Sequence, residues 1–344
     1  MSRPGKAYAA LINYSQQRPD PEDLIFMQLT DAQLAFYDTK VLKIAKEKRK
    51  EFLRQVDYLI GRLQAKIDAD TSFWVKRFRK TGSLMKGTVL QPKGGYQADV
   101  DVAVELDISD SEKADLDRMH RVLRRLLIAV YPQKKEEDFE VQPRTLGIEF
   151  MDSGLCVDLV PIVPIASEPG YAWQPSSRDE PAVKTSIDGQ LEFMRARREL
   201  DERFRPIVRI LKAWKRFHEL AISSFAIELL VAHLLDERGP AATLEDGVVR
   251  FFLYVAQSGL QERIAFAGNG AVTGWPSDPV VILDPVNAEN NVTRRVTTGE
   301  RAATVAKTLQ AWECLSTARR RDSKGETIEL WQQVFGRSFK IEER

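Results

Sequence analysis

Cysteine and histidine are scarce in this chain. Of 344 residues two are cysteine, Cys156 and Cys314, and three are histidine, His120, His218 and His233. No CxxC pair exists, and the scattered histidines do not have zinc-ligand spacing. Charge of one sign is missing too: 51 Lys and Arg stand against 50 Asp and Glu, a net charge of +1. Tight duplex binding through a global basic field is thereby excluded, and any nucleotide contact has to be local. No apolar run reaches the ~18 residues that a membrane helix needs. The opening MSRPGKAYAALINYSQQ lacks the apolar core of a secretory signal. A reducing cytoplasm is the expected compartment.

What is present suits a globular protein: 43% apolar and 29% charged residues. Residues 1–30 carry three prolines and little periodicity and read as an irregular arm. From Thr30 to about Asp68, apolar residues recur at threes and fours, which predicts one long amphipathic helix with Asp31 as its cap. SFWVKRF (72–78) reads as a strand, and GTVLQPKGGYQ (87–97) as a short helix and a glycine turn. ADVDVAVEL (98–106) alternates as a strand does, residues 111–131 are helical, and 145–151 and 155–164 are strands joined at Asp152-Ser153-Gly154. After about residue 180 the strand signals stop, and helical patterns run at 186–198, 201–218, 223–237, 242–258, 301–319 and 325–336. The expected division is therefore residues 1–180, an α/β core with its N-terminal helix, and residues 181–344, a helical lobe.

Three aspartates carry the chemistry. Strand alternation puts Asp99, Asp101 and Glu105 on one face, and Asp158 is a lone acid among Val157, Leu159 and Val160. One reading makes the first group the wet face of an antiparallel strand and Asp158 a core acid paired with an arginine. The other brings Asp99, Asp101 and Asp158 to one rim, where carboxylates hold hard divalent cations. GSLMKGT (82–88) precedes them. Gly82 permits unusual torsions, Ser83 and Thr88 offer hydroxyls, and a helix starting here would turn free N–H groups toward an anion. Farther on, Arg205, Arg209, Lys212 and Arg216 share a basic face that reads as solvated and paired with acids. Ser223 or Ser224 is a good N-cap for the next helix. Phe225 reads locally as core packing. Glu228, in an apolar helix, reads as the partner of a buried arginine. VVILDPVNAENNV (280–292), with Asp284-Pro285 and its asparagines, reads locally as turn chemistry.

In this order the blocks GSLMKGT, DVDVAVEL, LCVDLVP, VRILKAWK, SSFAIELL and VVILDPVNAENNV resemble the polymerase-β-type nucleotidyltransferases. Within them the chain looks like the cGAS/DncV-like nucleotidyltransferases of bacterial CBASS anti-phage systems and the 2′-5′ oligoadenylate synthetases. The resemblance covers roughly residues 75–340. It implies an α+β fold: a polymerase-β-like core with a mixed sheet and a long N-terminal helix, a helical C-terminal lobe, and the active site between them. It assigns Gly82 and Ser83 to the triphosphate, and Asp99, Asp101 and Asp158 to catalysis and to two Mg²⁺ ions, with Mn²⁺ a possible substitute. Lys212 and Ser224 go to the phosphates, Phe225 to the base and Asn291 to the pocket lining. Phenylalanine stands at 225 where the family more often has tyrosine, and Ala288 where a proline is frequent. The implied activity is synthesis of a cyclic di- or trinucleotide, adenine-containing, from ATP and other NTPs. A terminal nucleotidyltransferase making linear products on RNA or a small molecule is the alternative, and a catalytically dead nucleotide-binding module is a third. A HORMA-type regulator and a downstream effector are the implied partners. Lacking a Cys/His zinc insertion, the chain is not expected to respond to duplex DNA.

Overall fold

A computed structural model describes residues 29–70, 74–108, 116–135, 138–141, 145–175 and 182–342. The expected arm thus lies outside the described residues, except for its last two.

The predicted long helix is broken. Helix α1 (Asp31–Phe36) gives way to a π-helical turn (Tyr37–Leu42), Lys43 is extended, and α2 (Lys46–Ala69) begins afresh. Tertiary bonds outcompete the helical ladder here. Asp38 is buried and bonded elsewhere, and the Leu42 carbonyl accepts from Gln91 N–H at 2.8 Å. The cap of α1 is Thr30, in a capping box with Gln33. Asp31 accepts instead from Leu244 N–H, 2.7 Å away on a distant helix.

β1 (Val75–Lys80) leads into a five-residue helix α3 (Gly82–Lys86) and then β2 (Ala98–Leu106). No helix forms over residues 87–97, because Gly87 ends α3 in the left-handed region at φ 76° and Lys93 bridges to Tyr96. Next come α4 (Leu116–Val130), β3 (Phe139–Val141), β4 (Leu146–Phe150), β5 (Leu155–Pro164), β6 (Ala172–Gln174) and β7 (Val183–Thr185). The spine of the sheet runs β1-β2-β5-β4-β3, with β6 pairing both β5 and β7. β2 and β5 are parallel and their neighbours antiparallel, so the sheet is mixed.

Helices α5 (Ile187–Leu200), α6 (Phe204–Phe217), α7 (Ser224–Arg238) and α8 (Leu244–Ser258) follow. Strands do not stop at residue 180: besides β7, a small sheet joins β8 (Arg263–Ile264), β9 (Val281–Asp284) and β10 (Asn287–Asn291). Each strand is too short to give periodicity, although all four residues of β9 are buried. α9 (Thr298–Ala318) and α10 (Lys324–Phe335) complete the described elements. The architecture is α+β, a mixed sheet with its flanking helices followed by a mostly helical second half that carries the small sheet.

One apolar cluster binds α2 and α4 to the large sheet through Phe52, Leu59, Leu123, Val100 and Val157. A second gathers α6 to α10 around Trp214, Phe252 and Trp331. Leu34, Tyr37 and Leu42 belong to this second cluster, so the N-terminal segment packs on the helices before α2 reaches the sheet. Among the described residues no helix is long and apolar enough to cross a membrane.

Candidate active site

β2 and β5 place the three aspartates by register. Asp101 lies opposite Asp158, and Asp99 opposite Cys156, on parallel strands. Facing residues of adjacent strands project to the same side about 4.8 Å apart, and i, i+2 residues share a face. All three acids therefore open into one cleft of about 1320 Å³. That exceeds the ~300–1,000 Å³ typical of a single-ligand pocket, so there is room for more than one nucleotide. The acids are graded in exposure: Asp99 is exposed, Asp101 half-buried and Asp158 buried. Burial pushes the Asp101 carboxyl above the usual carboxylate range; Lys86 and Lys212 pull it down, while the charge on Asp99 adds to the rise. The trio is not drawn into a closed cage: among the described residues no three Asp, Glu, His or Cys side chains sit at metal-holding distance. The donor set itself, three carboxylates on one face, suits a hard divalent cation.

Glu105, on the same strand, departs from the wet-face reading. It is buried and bonded to Arg77 at 2.6 Å, with Arg79 at 3.7 Å.

The Gly-Ser turn is welded to this rim. Thr81 N–H donates to the Asp101 carbonyl at 2.8 Å. Gly82 has φ +69°, and a Cβ there would fall 1.6 Å from Asp101 Oδ2. Only glycine allows the turn and the aspartate to approach so closely. α3 itself is five residues long, too short to build the helix dipole expected from the sequence. What remains for an anion is the local N–H groups at Gly82 and Ser83, both on the cleft wall.

The cleft also has a basic side. Among its lining residues are Lys86, Lys212, Lys215 and Arg216. The face read as solvated on α6 is half-buried at Arg205 and Arg216 and buried at Arg209, which holds Asp38 through two bonds of 2.6 Å and donates to the Gly87 carbonyl at 2.6 Å. Glu228 pairs with two lysines rather than an arginine. Its Oε2 accepts from Lys86 at 3.1 Å; its Oε1 accepts from Thr88 at 2.6 Å and from Lys212 at 3.3 Å. Burial opposes its ionisation, but Lys86, Lys212 and Thr88 together outweigh this and hold its carboxyl down at about 2. Burial lowers the pKa of Lys212, with Lys86 adding to the effect and Glu228 opposing it.

Ser223 caps α7, accepting from Ala226 N–H at 3.0 Å, which puts Ser224 at the first helical position on the cleft wall. Phe225 also lines the cleft, with Lys86 Nζ 4.1 Å from its ring centroid. Asn291 reaches the lining, but its side chain is spent within the fold. Its amide donates to Asp278 and to the Val280 carbonyl, both at 2.8 Å, and its oxygen accepts from Ile282 N–H at 3.0 Å. All nine residues singled out from the sequence thus border one cleft. Sequence reasoning missed Lys86 and the lysine partners of Glu228. The signal for Lys86 was its place at the end of the Gly-Ser helix, one turn beyond Gly82.

No protein-family model matches the chain. Curated relatives do. The chain is 37% identical over 317 residues to a CBASS oligonucleotide cyclase CdnC of Escherichia coli strain KTE188, spanning 92% of this chain and 99% of that one. It is 32% identical over 312 residues to the cyclic AMP-AMP-AMP synthase of E. coli strain MS 115-1, over 88% and 95% of the two chains. Among solved structures, E. coli MS115-1 CdnC with ATP superposes with a TM-score of 0.78 at 30% identity, over 91% of this chain and 99% of the other. Vibrio cholerae DncV cyclic AMP-GMP synthase shares the fold alone, with a TM-score of 0.68 at 12% identity over 90% and 96% of the two chains. The chain belongs to the CBASS oligonucleotide cyclases, a branch of the cGAS/DncV-like nucleotidyltransferases.

Proposed function

We propose that this cyclase joins ATP, alone or with a second NTP, into an adenine-containing cyclic di- or trinucleotide, releasing one pyrophosphate for each bond formed. The observation that carries the reading is the convergence of Asp99, Asp101 and Asp158 with the Gly82–Ser83 turn on a single cleft. Likeness to a cyclic AMP-AMP-AMP synthase and to CdnC solved with ATP supports adenine as the base.

Each residue then has a task. Gly82 and Ser83 hold the donor triphosphate by backbone N–H and hydroxyl. Lys212 neutralises phosphate charge, with Ser224 beside it. Phe225 offers its ring face to a base. Asn291 shapes the pocket wall rather than touching the nucleotide. Two Mg²⁺ ions, replaceable by Mn²⁺, fit Asp99, Asp101 and Asp158, and when bound they supply charge stabilisation at the attacking and leaving oxygens. A ribose hydroxyl of the acceptor attacks the α-phosphorus of the donor; its proton leaves toward the aspartate rim, and the bond to pyrophosphate breaks. Nearly all of the rate enhancement then comes from positioning and electrostatics.

A CdnC structure contains a HORMA-domain protein, with a TM-score of 0.76 to this chain at 29% identity, over 91% of this chain and 99% of the other. On that likeness a HORMA-type regulator is the proposed switch, the cytoplasm the proposed compartment, and an effector that binds the ring the proposed reader of the signal.

The test is chemical. Purified protein with ATP, Mg²⁺ and a HORMA-type partner is expected to release pyrophosphate and yield a phosphatase-resistant product whose mass gives the ring size. Linear products open to phosphatase, or none without an RNA primer, would replace the cyclase reading with terminal transfer.

A further inference from the structure

Glu228 is 2% exposed and carries one negative charge, yet two ammonium groups lean on it. The side chains of Lys86 and Lys212 are themselves 9% and 7% exposed. The cluster therefore holds a surplus positive charge out of water. Asp101 feels both lysines but forms an ion pair with neither among the described residues. A desolvated surplus charge is costly unless a counter-charge reaches it. The cluster forms part of the cleft wall, where an anionic ligand can supply at contact the counter-charge that Asp101 supplies only from a distance.

The position of Lys86 narrows the ligand. It ends the helix that begins at Gly82, one turn along, so its backbone lies about 6 Å from the anion-facing turn. Lys212 reaches the same carboxylate from α6, within the helical half, whereas Lys86 reaches it across the junction of the two halves. Three elements thus meet on one buried anion: α3 with the adjoining Thr88, α6 and α7.

We infer that Lys86 is a second triphosphate-binding cation of this enzyme, and that Glu228 is a positioning residue which holds Lys86 and Lys212 together as a paired phosphate clamp. The inference rests on the nucleotidyltransferase reading above and extends it to two residues that reading leaves without a task. The ammonium of Lys86 also lies 4.1 Å from the centroid of the Phe225 ring, so one side chain links the clamp to the base platform. Before a nucleotide binds, Glu228 takes the place of the phosphate tail between the two lysines. It keeps two like charges close together, then shares them with the incoming anion.

The test uses the full chain, with α,β-methylene-ATP as the non-reacting probe and adenosine as the phosphate-free one, each titrated by calorimetry with Mg²⁺ present. Lys86→Met is expected to weaken the ATP analogue about tenfold and leave adenosine unchanged, while Lys86→Arg retains most of the affinity. Equal binding of the analogue by wild type and Lys86→Met would overturn the clamp, as would equal losses for the analogue and adenosine. A wild-type protein that binds no ATP analogue would overturn the nucleotidyltransferase reading itself, and the clamp with it. For Glu228→Gln the expectation is a split: affinity for the analogue kept or raised, since a competing anion is gone, and kcat lowered tenfold or more because the lysines are no longer fixed. Parallel loss of affinity, kcat and melting temperature would make Glu228 structural only. Unchanged affinity and kcat together would remove its positioning role.

Discussion

The two walls of the cleft are built by different means. On the acidic wall, backbone register does the positioning. Asp101 and Asp158 face each other because β2 and β5 are parallel and in step, and Gly82 sits against Asp101 because a backbone bond from Thr81 holds it there. On the basic wall, side chains position side chains. Lys86 and Lys212 are held by Glu228, and the helix that bears Lys212 is tied to the N-terminal π-helical turn and to Gly87 by Arg209. A wall set by register tolerates changes in its neighbours but loses its chemistry when one acid goes. A wall set by ion pairs spreads the damage of a single change into the fold.

The largest expected effect comes from the acidic wall. Asp99→Ala with Asp101→Ala is expected to lower turnover by at least about a thousandfold, the scale of removing a group that acts in the transition state. The melting temperature should not fall below that of the wild type, because Asp99 is exposed, Asp101 is half-buried and their charges repel. Pyrophosphate release beside a thermal melt checks both statements, and a variant that fails to fold would blur the contrast between the walls.

Gly82→Ala comes next, with turnover down by about a hundredfold, as for a misplacement of order 1 Å. The added methyl would fall 1.6 Å from Asp101 Oδ2 at φ +69°, so turn and acid have to part. Here kcat should fall more than the affinity for ATP does.

Arg209→Met tests the basic wall. Asp38 is left charged and buried with no guanidinium, a loss of about 3–5 kcal/mol of stability. Denaturant unfolding reads it directly. A loss below about 1 kcal/mol would show the pair to be ornamental and the contrast false. Phe225→Ala is milder, about 1–3 kcal/mol of nucleotide affinity if its ring stacks a base, and the clamp variants described above lie in the same range.

The smallest effect is a pH dependence in chelator-treated protein. The folded state raises the pKa of Asp101 above its ordinary 3.8, so the native chain binds the proton more tightly than the unfolded chain. Stability therefore falls as pH rises from 3.8 through the raised value. Asp101→Asn cannot ionise, and is expected to melt a degree or more above wild type at neutral pH, with the advantage fading as pH drops toward 4. A variant less stable than wild type at neutral pH would mean that Lys86 and Lys212 outweigh burial and the repulsion from Asp99.

The contrast between the walls also explains what could be read without coordinates. Alternation in ADVDVAVEL and the lone acid in LCVDLVPIVP are local patterns, and local patterns fix strands and faces. The Gly-Ser turn was legible for the same reason. Helices α5 to α10 announced themselves by periodicity, and α7 also by its serine cap at 223. Nothing local says that Asp38 will prefer Arg209 to an exposed helical site, so the N-terminal helix was expected to run unbroken. Nor does the sequence near Glu228 name Lys86, which lies 142 residues away. Partner choice among buried charges is decided by tertiary packing, and single-sequence patterns do not carry it.

The most direct test of the central claim is a crystal structure of this chain with α,β-methylene-ATP and Mn²⁺, the metal located by its anomalous signal. Manganese peaks held among Asp99, Asp101 and Asp158, with the nucleotide's phosphate tail on Gly82 and Ser83, are the predicted result. Manganese bound elsewhere, or a tail directed away from that turn, would contradict it.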